Sequence, residues 1–194
     1  MLLIYLMKKW PETLNELYNE TINIYTDLKN QESTNNSEVV DETILIRPIG
    51  YLIRLVHVTE SIGTQDIVNS TKNMLDEYLN IIRNRNLTHM IKQRLLIDIA
   101  SYKKWINELS LMIRIDAMEE LVDILTTRDY IHGEMEILKR LNENIDSYVK
   151  ELDVVDTKFK EIGINIQYDM LNEISIKIFP KVIYWWWYIG DKKK

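Results

Sequence analysis

"VVDETILIRPIGYLIRLVHVT" occupies residues 39–59, and whether it forms a helix or a strand decides the fold. Its valines, isoleucines and threonines suit a pleated surface, where β-branched side chains pack well. A strand needs a partner, however, and no second convincing strand occurs anywhere in the 194 residues. The stretch therefore reads as a buried helix, with Pro48 as its kink or its start.

The flanking sequence supports that choice. Five glycines and three prolines are all that punctuate the chain, so long uninterrupted helices are allowed. Downstream, residues 66–83 place Ile67, Thr71, Met74, Leu75, Tyr78, Leu79 and Ile82 on one face of an amphipathic helix. Upstream, Pro11 suits a first helical position, and Leu14, Leu17, Thr21, Ile24 and Leu28 follow at spacings of three and four, predicting a helix over 11–30. The apolar-free run "NQESTNNSE" (30–38) predicts a solvated loop. Residues 89–127 read as one long helix or two, because neither glycine nor proline interrupts them. Met135, Leu138, Leu141, Ile145, Tyr148 and Leu152 repeat at near-heptad spacing, which predicts a helix packed along its whole length. Residues 153–179 supply a last segment, weakened at Gly163. The expectation is an all-α, single-domain bundle of six to seven helices over 1–194.

Composition narrows the function classes. With 30 acidic against 24 basic residues, the net charge of −6 argues against indiscriminate binding to nucleic acid but leaves room for a local basic groove. The chain has no cysteine, which removes disulfides, thiolate metal sites and cysteine nucleophiles together. The opening "MLLIYL" meets Lys8 and Lys9 too soon to span a bilayer and lacks a signal peptide's cleavage site, so the chain is expected in the cytoplasm without a transmembrane segment.

Four blocks in order resemble the translin family of all-α proteins that bind single-stranded nucleic acid. They are "RPIGYLIRLVH" (47–57) leading into "DIVNSTKNMLDEYL" (66–79); "INELSLMIR" (106–114), similar to a G-E-L helix with Asn107 in place of glycine; "TTRDYIHGEMEILKRLNENIDSY" (126–148), similar to a short gap around G-D-Y and the helix after it; and "ELDVVD" (151–156) with "YDMLNEI" (168–174). The resemblance covers about residues 40–175. It implies a homo-oligomer that binds single-stranded RNA or DNA. Family nucleases hold a divalent ion, Mg or Mn, between glutamates of neighbouring helices. Glu108 falls on the G-E-L glutamate and is the implied metal ligand and catalytic carboxylate, whereas "LLIDIASYKKW" (95–105) keeps Asp98 as its one acid. Phosphate contacts would come from Arg47, Arg54 and His57, with Arg85 and Arg94 beside them; the alternative is that these side chains pair with carboxylates.

Other readings compete. "RNRNLTH" (83–89) sets Arg83, Asn84 and His89 at a spacing that resembles HEPN-type RNases, which cleave without metal: histidine moves a proton and arginine stabilises charge on phosphorus. "RDYIH" (128–132) is too tight for that spacing. Glu120 and Asp123 form half of a pyrophosphohydrolase pattern, and a solvated helix face explains them as well. A non-catalytic adaptor bundle is a third class. Finally, "YWWWYIGDKKK" (184–194) projects Trp185, Trp186, Trp187 and Tyr188 in directions that no single amphipathic face can cover. A subunit interface formed by segment 181–194 is the expected cover, with base stacking or a peripheral membrane contact through Lys192–Lys194 as alternatives.

Overall fold

A computed structural model describes residues 13–34, 45–46, 48–109, 116–163 and 178–188. Among them are α1 (Leu14–Thr34), α2 (Ile49–Ile62), α3 (Gln65–Asn84), α4 (Thr88–Leu109), α5 (Asp116–Arg140), α6 (Asp146–Gly163) and a 3-10 turn at Trp185–Tyr188, with no strand. The helical reading of 39–59 therefore holds over its described residues 45–46 and 48–59, and the fold is an all-α bundle.

Helix boundaries follow local chemistry. The α1 helix begins at Leu14, where Thr13 and Glu16 form a reciprocal capping box, each side chain accepting the other's backbone N–H at 3.2 Å; Pro11, the expected start, lies outside the described residues. It then continues through residues 30–34, where a loop was expected; residues 35–38 of that stretch lie outside the described residues. Neither glycine nor proline stops it there, and Glu77 of α3 anchors its last turns by accepting from Tyr25 at 2.9 Å and Lys29 at 2.6 Å. Pro48 caps α2 rather than kinking it. The region 89–127 divides into two helices, with residues 110–115 outside the description. Residues 126–130, where the translin resemblance implies a gap, lie in the middle of α5. The expected continuous helix over 135–152 instead breaks after Arg140, where Asn142 takes a left-handed φ of 61° and Glu143 N–H returns to the Leu138 carbonyl at 3.0 Å. The last expected segment, 153–179, is helical to Gly163, and residues 164–177 lie outside the description.

One apolar cluster takes residues from every helix and from Phe179, Tyr184, Trp186 and Trp187. At its centre α2 is buried from Ile49 through Val56 and packs on α1, α3 and α5. The α5 helix in turn packs on α2, α4 and the 3-10 turn. The α2–α5 crossing needs glycine on both sides. A Cβ on Gly133 would lie 3.1 Å from Gly50 Cα, and one on Gly50 would lie 3.0 Å from the Tyr130 ring. Gly133→Val is therefore expected to force the two backbones apart and cost about 1–3 kcal/mol. Gly50→Ala should cost less, since a ring can turn where a backbone cannot; urea denaturation of the two variants checks the order.

Candidate functional site

Four charged or titratable side chains on α5, Arg128, Asp129, His132 and Glu134, face inward among apolar neighbours. Asp129, 3% exposed, accepts from the Arg54 guanidinium of α2 through Oδ2. Its Oδ1 accepts both indole N–H groups of the 3-10 turn, Trp186 at 2.7 Å and Trp187 at 2.9 Å. Burial works against the Arg54 charge, but Asp129 together with Tyr184, Tyr51 and Tyr130 outweighs it and holds the guanidinium above its ordinary range. Burial also pushes the Asp129 carboxyl up, while Arg54 and the indoles act the other way.

Arg128, the neighbouring residue, turns toward α6. It binds Asp156 in a bidentate fork, Nε to Oδ1 at 3.0 Å and Nη2 to Oδ2 at 2.9 Å, and Tyr102 of α4 donates to the same Oδ1 at 3.0 Å. The Trp186 ring lies 4.2 Å from the Arg128 guanidinium carbon. His132, one turn on, meets His57 of α2 at a ring separation of 5.3 Å, and Tyr184 bridges them with its hydroxyl 3.1 Å from His57 Nδ1. Burial, then Arg128 and His57, push His132 down to about 3, and its Nε2 has no hydrogen-bond partner among the described residues. Burial likewise lowers His57 despite nearby Glu136 and Glu60. Burial raises the carboxyls of both Glu134 and Asp98 of α4, and the contact between the two raises Glu134 further while acting downward on Asp98; Arg94 pairs with the same Asp98 at 3.0 Å.

Several residues singled out in the sequence thus occupy places other than those expected of them. Arg54 is buried 5% exposed on Asp129 and offers no guanidinium to a phosphate in this structure; Arg47 lies outside the described residues. Trp186 and Trp187 are each 1% exposed within their own chain. The bundle covers these two itself, because the 3-10 turn does not present helix or strand directions and because Asp129 accepts both indoles at once. Trp185 is half-buried with Lys160 Nζ 4.1 Å from its ring, and Tyr188 donates to the Phe179 carbonyl at 2.6 Å. His57 is half-buried beside Tyr184, and Arg94 is committed to Asp98.

The resemblance implies a Mg or Mn site at Glu108. Glu108 is a partly exposed side chain with Lys104 Nζ at 3.8 Å, and among the described residues no three acids or histidines are grouped to hold a cation. Asp123 is exposed, as a solvated face requires, and the side chain of Glu120 lies outside the description.

The α3–α4 corner is different. Arg83 and Asn84 end α3, and His89 stands in the first turn of α4, all three exposed; Arg85 lies between them, partly covered. Asn86 makes the corner by taking a φ of 53°. Its carbonyl is 3.0 Å from His89 Nδ1, and since a carbonyl can only accept, Nδ1 carries the proton and Nε2 is left as a base. Arg83 donates to Asn80 at 3.3 Å, and neither Arg83 nor His89 is paired with a carboxylate among the described residues.

Fold and site together define an all-α bundle with a buried ion-pair and aromatic centre and one exposed corner of Arg, Asn and His. The chain matches no protein-family model, no curated protein and no solved structure. Among the described residues no helix is long and apolar enough to cross a membrane.

Proposed function

We propose that the chain binds single-stranded RNA at the α3–α4 corner and cleaves it without metal. The observation that carries this is the 3.0 Å contact of His89 Nδ1 with the Asn86 carbonyl, which leaves the exposed Nε2 available as a general base at the corner where Arg83 is also exposed. In the step, Nε2 takes the proton of a ribose 2′-hydroxyl and the 2′ oxygen bonds to phosphorus. The bond to the 5′ oxygen breaks, and the proton returns from the imidazolium to that leaving oxygen through water. A 2′,3′-cyclic phosphate and a 5′-hydroxyl end result. Arg83 supports the charge growing on the phosphoryl oxygens, and Asn84 supplies a neutral hydrogen-bonding group at the same edge. Arg85 adds cationic attraction along the strand. A metal-dependent reading on Glu108 has a single carboxylate to stand on and is the weaker of the two.

A labelled single-stranded RNA incubated with the protein in EDTA tests this. Cleavage to a cyclic-phosphate end is expected to persist in the chelator and to fall by about 100-fold or more in His89→Ala. Arg83→Ala should lose both affinity and rate. A DNA strand of the same sequence should bind and stay intact, because it lacks the 2′-hydroxyl. Cleavage abolished by EDTA and by Glu108→Gln but not by His89→Ala would overturn the proposal in favour of the metal-dependent reading.

A further inference from the structure

The C-terminal segment 178–188 rests on a surface that holds two histidines, two arginines and one carboxylate it can use. Asp129 accepts both indole N–H groups, at 2.7 and 2.9 Å. His57 Nδ1 meets the Tyr184 hydroxyl at 3.1 Å, and the His132 ring lies 5.4 Å from the Tyr184 ring and 5.6 Å from that of Trp186. The Arg128 guanidinium is 4.2 Å from the Trp186 ring, and that of Arg54 is 5.0 Å from Phe179. The described backbone hydrogen bonds of this segment are local, from Ile183 and Tyr184 to Pro180 and from Trp187 to Tyr184, so side chains attach it to the helices. The helices also contribute many core residues of their own, including Leu52, Ile53, Leu79, Ile91, Leu95 and Leu138.

We propose that segment 178–188 is an acid-released latch: protonation of the His57–His132 pair frees the aromatic segment from α2 and α5 while the helices stay assembled. The charges around the pair favour release. His57 faces Glu60 on its own helix, Glu136, Lys139 and Arg140 on α5, and Tyr184 on the latch. His132 faces Arg128 and Lys139 on α5, His57 on α2, and the Tyr184 and Trp186 rings on the latch. The acids near His57 partly compensate its proton, whereas the charged groups acting on His132 among the described residues, Arg128, His57 and Lys139, all oppose one. Its Nε2, without an acceptor among the described residues, would become a buried N–H next to a second cation.

The sign follows from linkage. Burial holds both docked histidines below the ordinary 6.5, His132 at about 3, and undocking lets them return toward it. Latch attachment is therefore complete above about pH 6.5 and weakens as the pH falls from there toward about 3. Asp129 opposes this, because burial raises its carboxyl, but an exposed imidazole begins to gain its proton well above the range where carboxyls do.

The test uses the full chain with Trp10→Phe and Trp105→Phe, so that emission reports Trp185, Trp186 and Trp187 alone. On titration from about pH 7.5 to about pH 4, emission should move to the red and acrylamide quenching should rise, while far-UV helicity is retained. In His57→Gln/His132→Gln the midpoint should move down by about one pH unit or more. Should the double variant prove undocked at neutral pH, His57→Gln alone must still lower the midpoint. Emission and helicity lost together, no emission change, or midpoints unmoved by either substitution would overturn the latch.

Discussion

Replacing Asp129 by alanine is expected to cost about 3–5 kcal/mol of unfolding free energy, the range for removing one partner of a buried ion pair. Arg54 would keep its charge, because an arginine cannot discharge itself by losing a proton, and it lies 5% exposed between α2 and α5. The Trp186 and Trp187 indoles would lose their shared acceptor at the same time. Asp129→Asn separates these effects. Its amide oxygen can still take the indole N–H groups but supplies no countercharge, so about 1.5–3 kcal/mol should be lost, the part belonging to the charged hydrogen bond. Urea denaturation followed by circular dichroism and by tryptophan emission measures both. A loss below about 1 kcal/mol for the alanine variant would mean that the network does not hold the bundle together.

The helices were legible because their signal is carried by single chains of spacing. Ile67 to Ile82 predicted α3 to within a residue or two at each end, and the lack of a partner strand settled 39–59. Boundaries were less legible where a short polar device overrides the apolar pattern. Thr13 and Glu16 form their capping box whatever precedes them, and Asn142 ends α5 inside a heptad-like run that continues on both sides of it. The buried centre was hidden for a different reason: its partners are remote in sequence. Arg54 and Asp129 are 75 residues apart, and Asp129 and Trp186 are 57 apart. The signal that was present is a set of charged residues, Arg128, Asp129 and Glu134, within a helix whose neighbours Leu125, Ile131 and Leu138 are core. Together with tryptophans that lack an obvious face, that pattern marks a polar interior looking for donors. The corner at Arg83, Asn84 and His89 was legible because it is local, with all three residues falling within seven positions.

Asp156→Ala should be about as damaging as Asp129→Ala, at about 3–5 kcal/mol, yet the same ion pair should be replaceable. The single substitution strands the Arg128 guanidinium between α5 and α6 and leaves the buried Tyr102 hydroxyl without its acceptor. Burial, the largest cause, still holds the Tyr102 proton in place once Asp156 is gone, so the tyrosine does not compensate by ionising. Replacing both charges by apolar residues of similar length, Arg128→Met with Asp156→Leu, removes the stranded charge and the cost of desolvating it. What the double variant still loses is the Arg128 stack on Trp186, worth about 0.5–2 kcal/mol, and the Tyr102 hydrogen bond, about 1 kcal/mol. Adding Tyr102→Phe should recover the latter. The expected order of stability is wild type, then triple variant, then double variant, then Asp156→Ala, with the triple variant within about 2 kcal/mol of wild type. If the double variant is less stable than Asp156→Ala, the ion pair contributes more to the packing of α5 on α6 than its desolvation costs, and the charges themselves are what position the two helices.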